Sequence, residues 1–244
     1  MTNETIALVT GANKGLGLET SRRLAQQGMT VLLGVRDLGK GAQAVNALPD
    51  LAVTPVELDV TREDHIAAAK AYIENRFTRL DVLVNNAGMI HPEEPLFANS
   101  AETVSQAALK ETFDVNFFGQ VALTQALLPL IKKSAAGRIV NVSSILGSLT
   151  LHSDESSDAT QVKPLAYDAS KTALNQFTVH LAAALTGTAI KVNSAHPGWV
   201  KTDLGGHQAP MDVTDGAKTA VQLATLGPEG PSGKFFHFDE EVPW

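Results

Sequence analysis

Within the first few dozen residues the sequence changes character twice. The run Thr5-Ile-Ala-Leu-Val-Thr10 is short, apolar and β-rich, Gly11-Ala12-Asn13-Lys14-Gly15-Leu16-Gly17 follows it, and an apolar period of helical spacing then continues to Gln27. That succession predicts a strand, a glycine turn and a helix. Glycines let a backbone turn tightly and come close to a ligand, and the free N–H groups at a helix start meet anionic groups such as a pyrophosphate. The spacing is G-x-x-x-G-x-G and not the G-x-G-x-x-G of most dinucleotide folds. Taken alone it leaves an ordinary strand-to-helix turn, with glycine as punctuation, as the lesser reading.

The same alternation recurs along the chain. Strands are expected at Thr30–Val35, Ala52–Leu58, Leu80–Val84, Arg138–Val142, Ala189–Ala195 and Lys234–Phe238, with helices near Lys40–Leu48, from Thr61, at Ala101–Lys133, from Pro164, and near Val213–Leu226. Strands alternating with helices imply parallel pairing through right-handed crossovers. The expected fold class is α/β: a single-domain doubly wound (Rossmann) parallel sheet of about seven strands with helices on both faces, over residues 1–244. At 244 residues and 44% hydrophobic content the chain has ample material for one core, and no long charged or low-complexity run divides it. The prolines Pro92 and Pro95 break a loop before the long helix.

Composition removes several function classes. The net charge of −7 argues against non-specific binding to nucleic acid or an anionic membrane. No cysteine is present, hence no disulfide framework and no thiolate chemistry. No apolar run approaches about 18 residues and no basic, then apolar, leader opens the chain. A soluble, cytoplasmic protein is expected. The histidines are dispersed without HExxH-like spacing, so no catalytic metal is expected.

Polar residues at the carboxyl ends of the strands carry the candidate chemistry, because ligands of open parallel sheets bind at that edge. An acidic residue at the end of the second strand would hold a ribose 2′-hydroxyl, but Val35 and Arg36 stand there. A guanidinium grips a 2′-phosphate bidentately, and Lys14 supplies a second charge, which favours NADP(H) over NAD. The competing reading makes Arg36-Asp37 a solvated turn. Thr61 and Asp64 read as a helix cap that leaves Asp59, beside Val60, free to accept from an adenine amino group. Asn85-Asn86-Ala87-Gly88 closes the strand that begins at Leu80, and Asn116 sits among Val115, Phe117 and Phe118, where a polar role is favoured over a surface one.

Ser143-Ser144 ends the next strand, which alone signals only a turn or cap. Residues 147–163 are polar and acidic and read as a surface loop or lid. Pro164 suits the first turn of a helix with Leu174, Phe177, Leu181 and Leu185 as its buried stripe, and Tyr167 and Lys171 lie one turn apart toward its start. Chance easily supplies such a Tyr/Lys pair. Pro197-Gly198-Trp199-Val200-Lys201-Thr202 follows the sixth strand, and the segment 203–212 is a candidate substrate loop.

Together the glycine loop from Thr10 to Gly17, Asp59, Asn85 to Gly88, Asn116, the Ser144/Tyr167/Lys171 set and Pro197-Gly198 resemble, in order and spacing, the short-chain dehydrogenase/reductase family over essentially the whole length. Asn13-Lys14, Val35-Arg36, the stretch before Tyr167 and the ending from Gly233 to Trp244 look like its NADPH-dependent carbonyl reductase branch. The resemblance implies an NADPH-dependent reduction of a ketone or aldehyde. Tyr167 matches the general acid/base, Lys171 the lysine that supports the tyrosinate and bonds the nicotinamide ribose, and Ser144 the hydroxyl that holds the substrate oxygen, with Ser143 the alternative. Asn116 matches a residue that supports a proton-relay water, and Val200 and Thr202 match contacts to the nicotinamide carboxamide or the phosphates.

One departure is that the stretch between Ser144 and Tyr167 is longer than the family usual, which leaves monomer and homo-oligomer both open, and lid and passive loop likewise. Met89, Ile90, Leu146, Trp199 and Leu204 are the expected pocket wall, and their apolar character points to a small hydrophobic carbonyl substrate. A non-catalytic dinucleotide-binding redox sensor and an NAD-dependent dehydrogenase working oxidatively are the other readings. The complete Asn/Ser/Tyr/Lys set speaks against the sensor.

Overall fold

The computed structural model describes residues 4–94, 97 and 99–244. Pro95 falls outside them. Strand β1 (Ile6–Thr10) leads into α1 (Gly15–Gln26), then β2 (Thr30–Val35), α2 (Leu38–Asn46), β3 (Val53–Glu57), α3 (Glu63–Phe77) and β4 (Val82–Asn85). The second half runs α4 (Gln106–Phe113), α5 (Gly119–Ile131), β5 (Arg138–Val142), α6 (Leu149–Ser153), α7 (Leu165–Ala184), β6 (Lys191–Ala195), α8 (Val213–Gly216), α9 (Lys218–Ala224), β7 (Lys234–His237) and β8 (Glu240–Glu241).

These strands form one sheet in the order β3-β2-β1-β4-β5-β6-β7-β8. All pairs through β7 are parallel, and β8 returns antiparallel on β7. The expected count of about seven strands is therefore one short. The missing strand is the two-residue hairpin return Glu240–Glu241, exposed and without an apolar pattern to announce it.

Why the strands read as unbroken apolar runs is visible in β1, where all five residues are buried. Leu8 faces the side covered by α3 and α5 with Ile66, Ile73, Leu123 and Leu127. Val9 faces the other side with Leu24 of α1 and Val221 of α9. A sheet covered by helices on both faces leaves no polar face to alternate with. Each leucine such as Leu8 or Leu127, both 0% exposed, stabilises the fold by about 1.5–3 kcal/mol through its buried apolar area.

Strand ends fall about one or two residues from their expected positions, the ordinary scatter of such boundaries. The larger differences lie elsewhere. The helix expected at Ala101–Lys133 is three pieces: α4, capped by the Ser105 hydroxyl accepting from Ala108 N at 3.0 Å, a π-helical turn at Asp114–Phe118, and α5. Thr61 does not cap α3. Arg62 occupies the cap position without a side-chain bond, and Thr61 instead gives both its N–H and its hydroxyl to Asp59 Oδ1, at 2.9 and 2.7 Å.

Residues 147–163 are folded more than their composition suggests, into α6 and a 3-10 turn at Asp158–Gln161, started by the Ser148 and Ser157 hydroxyls. Serines read as loop formers act here as caps. Pro164 is the residue before the first turn of α7 rather than in it. In that helix Leu174 and Leu185 are buried, whereas Phe177 and Leu181 are half-buried, and Thr178 takes an inward place expected of an apolar residue. The final expected helix is split between α8 and α9.

Candidate active site

The strand order reverses between β1 and β4, whose carboxyl ends therefore open a crevice. Thr10 stitches the two ends together. Its Oγ1 accepts from the N–H groups of Asn86 and Ala87, both at 2.9 Å, and its carbonyl accepts from Asn86 Nδ2 at 2.7 Å. The turn after Thr10 needs its glycines. Gly11 and Gly15 have φ of 64° and 56°, and a Cβ on Gly17 would stand 2.5 Å from both Asn86 Nδ2 and Gly11 O. Lys14 at the N-cap of α1 offers no side-chain acceptor, so the helix presents N–H groups without a side-chain cap toward the crevice.

One cavity of about 560 Å³ occupies this edge. Leu16, Asn86, Gly88, Ser144, Tyr167, Lys171, Pro197, Gly198, Val200 and Thr202 all line it, as do Ile90, Leu146, Trp199 and Leu204 of the expected wall. Met89 does not. Its backbone is held by Asn116, which accepts from Met89 N and donates to Met89 O, each at 2.8 Å. Gly11, Asn13, Lys14, Gly15 and Gly17 of the turn, and Ala87, are not among the cavity's lining residues.

Asn85 differs from expectation. Its side chain is buried inside the sheet and donates to Thr124 Oγ1 at 2.9 Å and Asn141 Oδ1 at 2.8 Å, so it fixes the strand end instead of facing the crevice. Asn116 is likewise buried, and its amide also donates to Ser170 Oγ at 3.0 Å, tying the π-helical turn and β4 to α7. Gln120 completes this tie through bonds to Ala87 O at 2.7 Å and Val115 O at 3.2 Å. No motif pointed to Gln120.

Arg36 directly follows β2, is exposed, and has no ion-pair partner among the described residues. Asp59 stands beyond the neighbouring β3. Burial works to raise its pKa, but the bonds from Thr61 and the Arg36 charge hold the carboxyl below its ordinary value. Val60 is buried, and its carbonyl would lie 2.6 Å from a Cβ on Gly119, so a glycine is what allows α5 to close on it. Lys14 is paired with Asp203, two residues past Val200-Lys201.

Tyr167 and Lys171 both lie in α7 one turn apart, buried, with the ammonium 5.6 Å from the phenol ring centre. Burial pushes the tyrosine pKa up, the Ser144 hydroxyl opposes this by hydrogen bonding, and Asp168 adds to it. Burial also brings the Lys171 ammonium down to about 8, and its Nζ donates to Val142 O at 2.8 Å. Burial thus moves the two groups apart, the lysine down and the tyrosine up, so the phenol in the protein alone is held in its protonated form. Ser144 accepts from Leu146 N at 3.2 Å, while Ser143 lines the same cavity with its hydroxyl buried and unpartnered among the described residues.

Val200 pairs with Met211 in an isolated bridge and Trp199 Nε1 donates to Gly205 O at 2.7 Å, which folds the segment 203–212 over the crevice. Asp158, Ala159, Gln161 and Val162 bring the 147–163 segment to the cavity wall, and Phe97 packs edge-on against Trp199 at its mouth. Sequence reasoning missed His196. Burial, then His237, holds it neutral with a pKa of about 3, and its Nδ1 accepts from Ile145 N at 3.3 Å beside Ser144. A lone histidine before a proline carries no signal of that position.

Residues 5–212 match the family model described as short chain dehydrogenase. Among similar proteins, (-)-isopiperitenone reductase of Mentha piperita is 33% identical over 306 aligned positions, covering 97% of each chain. Carbonyl reductase (NADPH) 1 of Mus musculus is 32% identical and covers 98% of each. The crystal structure of NADPH-bound carbonyl reductase from chicken fatty liver superposes with a TM-score of 0.84 at 28% identity, covering 99% of both chains. Family model, relatives and fold agree: the chain belongs to the short chain dehydrogenase family of oxidoreductases.

Proposed function

We propose that this protein is an NADPH-dependent reductase that converts a small hydrophobic ketone or aldehyde to the alcohol. The observation that carries the reading is one apolar cavity at the sheet's switch point onto which Ser144, Tyr167 and Lys171 converge. The residues present fit a nicotinamide dinucleotide. The start of α1, whose N–H groups no side chain caps, and the glycine turn suit its pyrophosphate, Asp59 Oδ2 is free of the Thr61 bonds that occupy Oδ1 and suits the adenine amino group, and Arg36 with Lys14 suits a 2′-phosphate. Asn86, Gly88, Pro197, Gly198, Val200 and Thr202 supply the wall for the nicotinamide half. The bound cofactor supplies the hydride.

The protein's own part is proton transfer and positioning. Ser144 holds the carbonyl oxygen as negative charge grows on it. Tyr167, kept protonated by burial, donates its phenolic proton to that oxygen. Lys171 then stabilises the phenolate with its charge, which is present below its pKa of about 8. Asn116, Gln120 and Ser170 keep the β4 end, the π-helical turn and α7 in fixed relation. The relatives' names, an isopiperitenone reductase and a carbonyl reductase, support a ketone substrate.

The test is NADPH consumption against a panel of hydrophobic ketones, aldehydes and quinones, with Tyr167→Phe alongside. Turnover that is lost in the variant while NADPH still binds is the expected result. Retained turnover in Tyr167→Phe overturns the mechanism, and a tenfold preference for NADH overturns the cofactor. A silent panel with tight NADPH binding leaves the redox-sensor reading in its place.

A further inference from the structure

Helix α7 begins without a cap of its own. Its first residue is preceded by Pro164, which has no side-chain acceptor, so the N–H groups of Leu165, Ala166 and Tyr167 find none locally. Three long-range bonds satisfy them. Leu165 N donates to Ser100 Oγ at 2.8 Å, Ala166 N to Glu94 Oε1 at 2.7 Å, and Tyr167 N to Glu94 Oε2 at 3.2 Å. Ser100 in turn donates its hydroxyl to Glu94 Oε1 at 2.8 Å. Both residues are buried, at 5% and 2% exposure, on the segment that follows the Asn85–Gly88 strand end.

We propose that Glu94, assisted by Ser100, is a positioning residue for Tyr167: a cap supplied from another segment that fixes the rotation and height of the first turn of α7. The inference rests on the reductase reading above for its link to turnover, although the cap itself does not. A buried carboxylate is costly to keep unless its charge is used. Here the positive end of the helix and two N–H groups use it. The arrangement even tolerates a penalty, since Glu94 adds to the rise in the pKa of Asp168, whose first cause is burial. Because one carboxylate oxygen is bonded to Tyr167 N itself, loss of the cap moves the residue that bears the phenol. An angstrom of displacement of a reacting group is enough to lower turnover strongly. Under that reading the adenine half and the phosphates of the dinucleotide lie on β1, α1, β2 and β3, away from this contact.

The experiment compares wild-type protein with Glu94→Gln and Glu94→Ala, using Glu93→Gln, an exposed neighbour, as control. Two readouts are needed. Amide hydrogen exchange of Leu165, Ala166 and Tyr167 should accelerate about tenfold or more in Glu94→Ala and less in Glu94→Gln, which keeps one acceptor oxygen. The kcat for carbonyl reduction should fall about tenfold or more in the alanine variant, with partial rescue by glutamine and unchanged NADPH affinity. Unchanged exchange overturns the cap, and faster exchange with unchanged kcat overturns the positioning role. Should Glu94→Ala not fold, Glu94→Gln with Ser100→Ala gives the same two readouts. A wild-type protein without carbonyl turnover would overturn the reductase reading alone, leaving the exchange result to decide the cap.

Discussion

Replacing Asp168 by Asn should make the protein more tolerant of alkaline pH. Asp168 sits next to Tyr167 in α7 with its side chain 13% exposed and its Oδ1 buried and unpartnered among the described residues. Burial, reinforced by Glu94 and opposed by Lys163, raises its pKa from 3.8 to about 8. His152, whose own pKa is lowered by burial, lies 3.5 Å from Oδ2, so near neutrality this contact joins two uncharged groups and is not an ion pair. The folded chain therefore holds a proton that the unfolded chain has released, and stability falls as pH rises from about 3.8 to about 8 and is level beyond. At about 1.4 kcal/mol per pH unit, the loss between about pH 5 and about pH 8 is on the order of 4 kcal/mol. For a chain of this size that corresponds to roughly 10 °C in Tm.

Asparagine keeps the shape and removes the ionisation, and whatever the amide costs is the same at every pH. Urea unfolding of both proteins at the two pH values isolates the term: the stability of Asp168→Asn relative to wild type should rise by several kcal/mol on going to the higher pH. A difference that does not change with pH would refute the reasoning, because it would mean that Asp168 ionises in the folded protein as freely as in the unfolded one.

The other predictions concern the site itself. Arg36→Ala should lower kcat/KM with NADPH by roughly 30- to 100-fold and leave that with NADH nearly unchanged, as expected for one charge-assisted phosphate contact; steady-state kinetics with both cofactors decides. Ser144→Ala should reduce kcat by about 10²- to 10³-fold, the range for removing one donor to a developing oxyanion, with NADPH affinity preserved in a fluorescence titration. Gly119→Ala places a Cβ 2.6 Å from Val60 O, so it should cost about 1–3 kcal/mol in thermal or urea unfolding and raise KM for the cofactor by displacing the strand end that carries Asp59.

How much of this was readable without coordinates depended on the range of the interaction. The strands were legible because a sheet covered on both faces demands continuous apolar runs, and β1 and β5, buried throughout, are such runs. Ser144, Gly88 and Gly198 were legible because ligand groups gather where those runs end. The π-helical turn was not. Val115, Phe117 and Phe118 surround Asn116 with apolar residues, so the helical period continues through the point where the backbone widens by one residue. Asn85 was legible only in part for a related reason: its place at the strand end could be read, but whether its amide faces the crevice or Thr124 and Asn141 is decided by chain segments far away. The Glu94 cap joins positions 72 and 73 residues apart, and the local signal at Pro164 was only that a helix starts nearby.

Lys14 shows the same dependence on distant chain, with a consequence for the order of events. Its place in the glycine turn suggested a 2′-phosphate ligand, yet in the protein alone it pairs with Asp203, at the start of the segment that folds over the cavity. Both side chains are largely exposed, at 66% and 78%, so solvent already screens the pair and it is easily exchanged. A phosphate dianion held also by Arg36 offers Lys14 more charge than one carboxylate does. Under the proposed function, cofactor binding therefore frees Asp203 from the turn, while the Val200–Met211 bridge and the Trp199 to Gly205 bond keep the remainder of the segment in place. Under that reading, competition for one lysine links the cofactor's phosphate to the first residue of the substrate loop.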